Sequence, residues 1–411
     1  MKINVIRLFN SLDPKATFKK DGDAFLDEIN NELFDQDYEL VENQESTAMF
    51  SVLFIETGGA EQKFIKIEKD LPRPIILLSD CLNNSLPACL EIKSFLANNN
   101  EDCILLFGKE KDIASALIEI SKIEIAKRYM NDINLGVIGK PSDWLIASII
   151  DYQKAKEIFN VNIIDITSKQ LKQEIDKGVL EDIPHLDKLK SLAKDENVLN
   201  GALAIYSGLK RIIEFYKLGG LTIRCFDLIE EYQNTACLAL AMLNDEGIIA
   251  TCEGDVPSML SMLIVKAACG KESFQANPSK IVFGDETEGN TILFAHCTIP
   301  MNMCNKVEFM THFESGLGIG LRGKLNLGEV TIFKLARNLK DYLLITGDIK
   351  SNPELVNYCR TQIEVKVQDE DIYQFINKSF GNHVIISYGD NSANITNVLH
   401  YFQERLSKKY N

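Results

Sequence analysis

The chain has 411 residues, enough for two or three domains at about 100–200 residues each. Its 45% hydrophobic and 25% charged residues are ordinary for a packed globular chain and exclude a disordered, collagen-like or fibrous protein. Forty-four Lys and Arg against 59 Asp and Glu leave a formal charge of −15, which argues against nucleic-acid or anionic-membrane binding, because both need a basic footprint.

No apolar run approaches the roughly 18–20 residues of a membrane span. Arg7 and Asp13 come too early for a secretory leader, so a cytoplasmic protein is expected. Ten cysteines with no Cys-x-x-Cys pair support neither a disulfide scaffold nor a zinc ribbon. They are expected to be reduced, small, buried hydrophobes.

The first segment opens with a strand, Ile3–Phe9, and a helix near Asp21–Leu33. Ser51–Ile55 is β-type and ends at Gly58-Gly59. Pro74–Leu78 is an apolar run of the buried-strand type. Ser85–Ala97 reads as its helix, Cys103–Gly108 as the next strand, and Asp112–Tyr129 as another helix. Strand and helix alternating at this spacing predict a parallel sheet with right-handed crossovers.

A second α/β unit begins at Asn134–Gly139. Pro141-Ser142-Asp143-Trp144 reads as a turn and helix start. Val161–Ile166 is a strand, with Ser168 as N-cap of the helix after it. Glu174–Asn197 is charged and expected to be exposed. Then come a helix over Gly201–Tyr216, a strand Leu221–Cys225, a helix Gln233–Asn244, a strand Gly247–Cys252 and a helix Val256–Ala268. After about residue 270 the texture changes to short β-type runs, from Ile281–Phe283 to His383–Ser387, with turn residues between them. That predicts an antiparallel sheet or small barrel, closed by a helix over Ser392–Leu406. The expected fold is therefore α/β: two doubly wound parallel-sheet domains, 1–132 and 133–270, then a β-rich, barrel-like domain, 271–411.

Three phrases place ligand-capable side chains at strand ends. The first is Cys252-Glu253-Gly254-Asp255-Val256-Pro257, at the carboxyl edge of a strand, where open α/β sheets bind ligands. Asp255 also reads as a helix N-cap with Pro257 in the first turn; Glu253 has no such role. The second runs from Asp285-Glu286-Thr287-Glu288 through a strand to His296-Cys297. Its acids also read as a hairpin loop. The third is Gly381-Asn382-His383. Two carboxylates and two imidazoles with open positions suit a six-coordinate divalent ion, Mn²⁺ most naturally. Their spacing matches no short metal motif. His185 and His400 read as ordinary surface residues. Gly316-Leu317-Gly318-Ile319-Gly320 follows no α/β strand and reads as a β-turn rather than a nucleotide loop.

With these phrases the chain resembles the L-fucose isomerase / L-arabinose isomerase superfamily, and most closely its shorter fucose-isomerase-like proteins. The resemblance is carried by Leu135–Trp144, Thr222–Asp227, Cys237–Leu240, Leu243–Gly247, Cys252–Pro257, Ala295–Pro300, His312–Gly316, Cys359–Gln362 and Gly381–His383. It runs from about residue 70 to the end.

The resemblance implies an aldose–ketose isomerase working through a cis-enediol. It implies Mn²⁺, or another divalent cation, held by Glu253, Asp285, His296 and His383, with Glu286 a competing assignment for the second acid. Glu253 and Asp285 would then also move the protons. It implies a homo-oligomer, a trimer or hexamer. His312 and Glu314 alternate along an expected strand and so share a face. They, Asp255 and Arg360 are expected to contact the substrate or support the site. Two other readings remain open: a cytoplasmic sugar-binding or regulatory protein with the same fold, and another metal-dependent enediolate reaction such as epimerisation or aldol cleavage.

Overall fold

The structure, a computed structural model, describes residues 1–10, 17–42, 46–284 and 289–409, with the side chains of 17 and 404–409 left aside. It divides into two compact units, Met1–Ile125 and Ala126–Asn411.

The first unit is a parallel five-stranded sheet. Its strands are β1 (Lys2–Leu8), β2 (Glu39–Glu42), β3 (Ser51–Ile55), β4 (Ile75–Leu78) and β5 (Cys103–Leu106), in the order β2-β1-β3-β4-β5. Alternation along β3 builds both layers. Val52 and Phe54 pack with Phe25 and Ile29 of the helix Thr17–Phe34. Leu53 and Ile55 pack on the other face with Ala88 and Ile92 of the helix Ser85–Asn98. β4 is buried at all four residues, which is why it reads as an unbroken apolar run.

The second unit joins a parallel sheet to a barrel. The sheet holds β6 (Asn134–Ile138), β7 (Asn162–Ile166), β8 (Leu218–Ile223) and β9 (Ile249–Cys252), in the order β7-β6-β8-β9. The barrel strands are β10 (Phe274–Val282), β11 (Asn290–His296), β14 (Gly328–Leu335), β15 (Tyr342–Ser351), β16 (Thr361–Val367) and β17 (Val384–Tyr388). They close antiparallel as β10-β11-β16-β15-β14-β17. A separate ribbon pairs β12 (Cys304–Met310) with β13 (Gly320–Leu325). Leu221 of the sheet and Ile332 of the barrel share one hydrophobic core. Two parallel α/β layers followed by an antiparallel barrel are thus the architecture the strand texture predicts.

Four local expectations are corrected. Trp144 starts no helix: the chain stays in turns until the helix Tyr152–Phe159, capped by Asp151. The N-cap after β7 is Thr167, not Ser168, because Thr167 makes the reciprocal capping box with Gln170. A helix at Asp369–Asn377, absent from the strand reading of this third, follows β16. The strand expected to carry His312 and Glu314 ends at Met310. Those two residues sit in a turn closed by the Gly316 amide donating to the His312 carbonyl at 3.0 Å. No helix among the described residues is long and apolar enough to cross a membrane.

Candidate metal centre

Each metal-capable side chain stands where a strand stops. Glu253 follows the last residue of β9, His296 ends β11, and His383 precedes β17. Strand β10 brings the two histidines to one level. Its residue Asn277 pairs with Ala295, just before His296, and Ala276 pairs with Val384, just after His383. Two residues back, the Gln275 side chain accepts from the Cys252 amide at 2.7 Å. That ties the end of β9 to the same point of the barrel.

The turn after β9 is locally constrained. Glu253 has φ +65°, a conformation costly for a residue with a Cβ and typical of functional sites. Its carbonyl accepts from the Ser142 amide at 2.9 Å. Gly254 has φ +71°, and a Cβ there would lie 2.4 Å from the Lys140 carbonyl oxygen, so only glycine fits.

The ligand atoms of Glu253, His296 and His383 all lie within 4.8 Å of one another. One carboxylate oxygen and two imidazole nitrogens form a donor set suited to a divalent cation. His383 is fully buried, and its Nε2 lies 3.5 Å from Glu253 Oε1 with no hydrogen-bond partner. An orphaned, buried ring nitrogen facing a carboxylate is what a metal ligand looks like without its ion.

Behind His383 stands a buried charge relay. His383 Nδ1 donates to Asp255 Oδ2 at 2.9 Å. Asp255 also accepts from the Ser258 amide at 3.0 Å and the Ser258 hydroxyl at 2.8 Å. Lys334 Nζ, on β14, donates to Asp255 at 3.0 and 3.2 Å and to Ser258 Oγ at 2.6 Å. Lys334 is 1% exposed and Asp255 0%. Asp255 is therefore the helix cap that its position suggests, and also the partner that fixes the His383 ring and leaves Nε2 turned toward Glu253.

The electrostatics follow from these contacts. Burial opposes charge on Glu253, but the His383 contact, the nearby histidines and the Trp144 hydrogen bond outweigh it and pull the carboxyl down to about 2. Burial opposes charge on Asp255 too, yet Lys334 and His383 hold it well below the usual carboxylate range. For His383 burial is overcome by Asp255 and Glu253, and its pKa is raised. His296, desolvated and beside His383, is pushed down to about 3 and stays neutral.

Glu253 and His296 line a cavity of about 470 Å³, within the ~300–1,000 Å³ usual for small-molecule sites. Trp144, Phe226, Phe313 and Tyr358 give it aromatic walls. Trp144 Nε1 donates to Glu253 Oε2 at 2.6 Å, and its ring meets Phe226 edge-on at 4.9 Å. His312 and Glu314 both line the cavity despite their non-strand setting. Burial and then the Glu253 charge raise the Glu314 pKa. Arg360 does not line it: its guanidinium donates to Thr311 O at 2.7 Å and Thr311 Oγ1 at 3.2 Å, bracing the turn that carries His312. Asp285 and its competitor Glu286 lie outside the described residues. Sequence reasoning missed Trp144 and Lys334 as parts of the site. Only the position of Trp144 inside a phrase shared with the isomerases signalled it.

No family model matches the chain. It is similar to the sulfoquinovose isomerase of Priestia aryabhattai, 21% identical over 366 residues, covering 83% of this chain and 81% of that protein. It is also similar to the sulfoquinovose isomerase of Alkalicoccus urumqiensis, 22% identical over 331 residues, covering 77% and 74%. That of Clostridium sp. (strain MSTE9) is 25% identical over 204 residues, 45% of this chain and 43% of its own length.

Proposed function

We propose that this protein is a divalent-metal-dependent aldose–ketose isomerase of the L-fucose/L-arabinose isomerase type, acting on a sugar through a cis-enediol. The observation that carries the reading is the convergence of the ligand atoms of Glu253, His296 and His383 at the wall of a cavity that Glu253 and His296 line, in a chain whose relatives are sulfoquinovose isomerases over most of its length. The reading includes Mn²⁺ as the ion, Asp285 as a further ligand, a homo-oligomer, and a cytoplasmic setting, with which ten unpaired cysteines are consistent.

The ion, when bound, supplies Lewis-acid polarisation of adjacent sugar oxygens. The rest belongs to the chain. Glu253 is ionised at neutral pH and is the base for the proton on carbon, oriented by the Trp144 N–H. Asp285 is the partner carboxylate for the hydroxyl proton. Asp255 and Lys334 hold the His383 ring in one orientation. The aromatic walls pack on the sugar faces and exclude water. Among the described residues lining the cavity there is no Lys or Arg, while Glu253 and Glu314 are both acids. That lining favours an uncharged aldose over a sulfonated one such as sulfoquinovose.

The test is an NMR assay of purified protein with Mn²⁺ against neutral aldoses and sulfoquinovose. An isomerase conserves the carbon count and yields the ketose. Cleavage products, a C2 epimer alone, or binding without turnover would replace the reading with one of its alternatives. Glu253→Gln keeps the shape and removes the base, so turnover should fall by ~10²–10⁴ or more with melting of the metal-free protein little changed.

A further inference from the structure

Five of the ten cysteines gather around this site. Cys237, Cys252, Cys297 and Cys359 line the cavity, and Cys225 lies directly behind Cys252. The Sγ atoms of Cys225 and Cys252 are 2.9 Å apart. The topology puts them there: Ile223 at the end of β8 pairs with Cys252 at the end of β9, and Cys225 follows two residues later. A disulfide needs an S–S distance of about 2.05 Å, so closure asks for a movement of less than about 1 Å. Cys225 is buried and does not line the cavity, whereas Cys252 lines it and immediately precedes Glu253.

We propose that Cys225 and Cys252 are a reversible oxidation site, a dithiol that a small hydroperoxide entering the cavity converts to a disulfide, and that its closure displaces Glu253. The Cys252 sulfur attacks the terminal peroxide oxygen. The O–O bond breaks, water leaves (an alcohol for an organic hydroperoxide), and Cys252 becomes a sulfenic acid. The Cys225 sulfur then attacks the Cys252 sulfur. The S–O bond breaks, and the departing hydroxide takes the thiol proton as a second water. Two thiols lose two electrons, and the peroxide gains them. A small dithiol reverses the step by exchange.

The consequence runs through the turn. The Cys252 amide is held by Gln275 and its carbonyl accepts from the Asp255 amide at 3.3 Å, so residues 252–255 move together. Metal–ligand distances are set to within about 0.2 Å, a margin smaller than the sulfur movement that closes the disulfide. The effect on the ion rests on the proposed role of Glu253 as a ligand; the disulfide itself does not.

The experiment treats the full-length, metal-free protein with hydrogen peroxide, blocks residual thiols by alkylation, and maps cross-linked peptides by mass spectrometry. Mn²⁺ affinity is measured before and after by titration. The expected result is one Cys225–Cys252 link, a Mn²⁺ affinity at least tenfold weaker, and recovery with dithiothreitol. Cys225→Ser should bind Mn²⁺ like the reduced wild type and keep that affinity after peroxide. Thiols that stay free, a link formed elsewhere such as Cys297–Cys359, or an oxidised protein that binds Mn²⁺ as before would overturn the proposal. The wild-type map decides the disulfide even if Cys225→Ser does not fold. Failure of the reduced protein to bind Mn²⁺ would instead overturn the role given to Glu253, and with it the consequence for the ion.

Discussion

The buried pair of Lys334 and Asp255 makes a sharp prediction, because neither residue faces the cavity. Removing one partner of a buried ion pair leaves an uncompensated charge and costs about 3–5 kcal/mol. Lys334→Met keeps the length of the side chain and removes the ammonium. It strands Asp255 against His383 and Ser258. At ~2–4 °C per kcal/mol for a unit of this size, its melting temperature should fall by about 6–20 °C. Asp255→Asn strands Lys334 instead and should cost a similar amount. The Asn oxygen can still accept from His383 Nδ1, but without charge, and loss of such a support typically weakens metal binding by ~10–100-fold. With both changes made, the pair leaves no unmatched charge behind. The double variant should be no less stable than the less damaged single variant, a coupling of at least ~3 kcal/mol. Thermal and chemical denaturation of the four metal-free proteins, with Mn²⁺ titration of each, gives the answer. Additive losses, or a Lys334→Met protein that melts with the wild type, would refute the reasoning.

Two further outcomes follow from the contacts at Glu253 and His383. Trp144→Phe keeps an aromatic wall but removes the N–H held by Glu253; turnover should fall about tenfold, near 1.4 kcal/mol, in steady-state kinetics with the melting temperature held, and unchanged turnover would count against that hydrogen bond. The raised pKa of His383 means that an ion must displace its proton. Mn²⁺ affinity should therefore rise with pH through a value above 6.5 and fall up to tenfold per unit below it; calorimetry in buffers of different ionisation enthalpy should record the released proton, and flat affinity across about pH 5 to 8 would rule this out. The metal-free protein carries the opposite signature. Its His383 contribution to stability is complete below 6.5 and is lost as pH rises through the folded pKa. The depressed pKa values of Glu253 and Asp255 give stability that is present above 4.5 and lost as pH falls, for Glu253 through about 2 and for Asp255 at lower pH still.

Much of this fold is written in local pattern. The four-residue apolar run of β4 and the alternation of β3 reveal buried and two-faced strands without tertiary information. The strand ends that bear Glu253, His296 and His383 are legible for the same reason. Lys334 is not. In Thr331-Ile332-Phe333-Lys334-Leu335 a lysine between apolar residues reads as the wet face of a strand, and its partner is 79 residues away. Asp255 is half legible: spacing to Ser258 identifies the cap, while the contacts to His383 and Lys334 are tertiary. Strand alternation assigns His312 and Glu314 to one face. They meet in the cavity through a turn braced by Arg360, a geometry with no sequence period.

What joins these pieces is a three-residue stretch of β10. Ala276 and Asn277 set the level at which His296 and His383 arrive from opposite neighbours, and Gln275 reaches out of the barrel to the end of β9. The histidine pair is thus a property of barrel register, while the Gln275 side-chain amide is what ties the turn of Glu253 to the barrel. Gln275→Leu separates the two. It leaves the Cys252 amide buried without an acceptor, at a cost of about 1–3 kcal/mol, and removes the Gln275 Nε2 contact to the Cys252 carbonyl as well. The barrel strands lose no backbone pair, so His296 and His383 should stay together. Mn²⁺ affinity should fall by an order of magnitude or more, with the residual binding that of a two-histidine site. Near-normal affinity in a destabilised Gln275→Leu protein would mean that the Ser142 contact to Glu253 alone holds the turn, and that the barrel does not position the carboxylate.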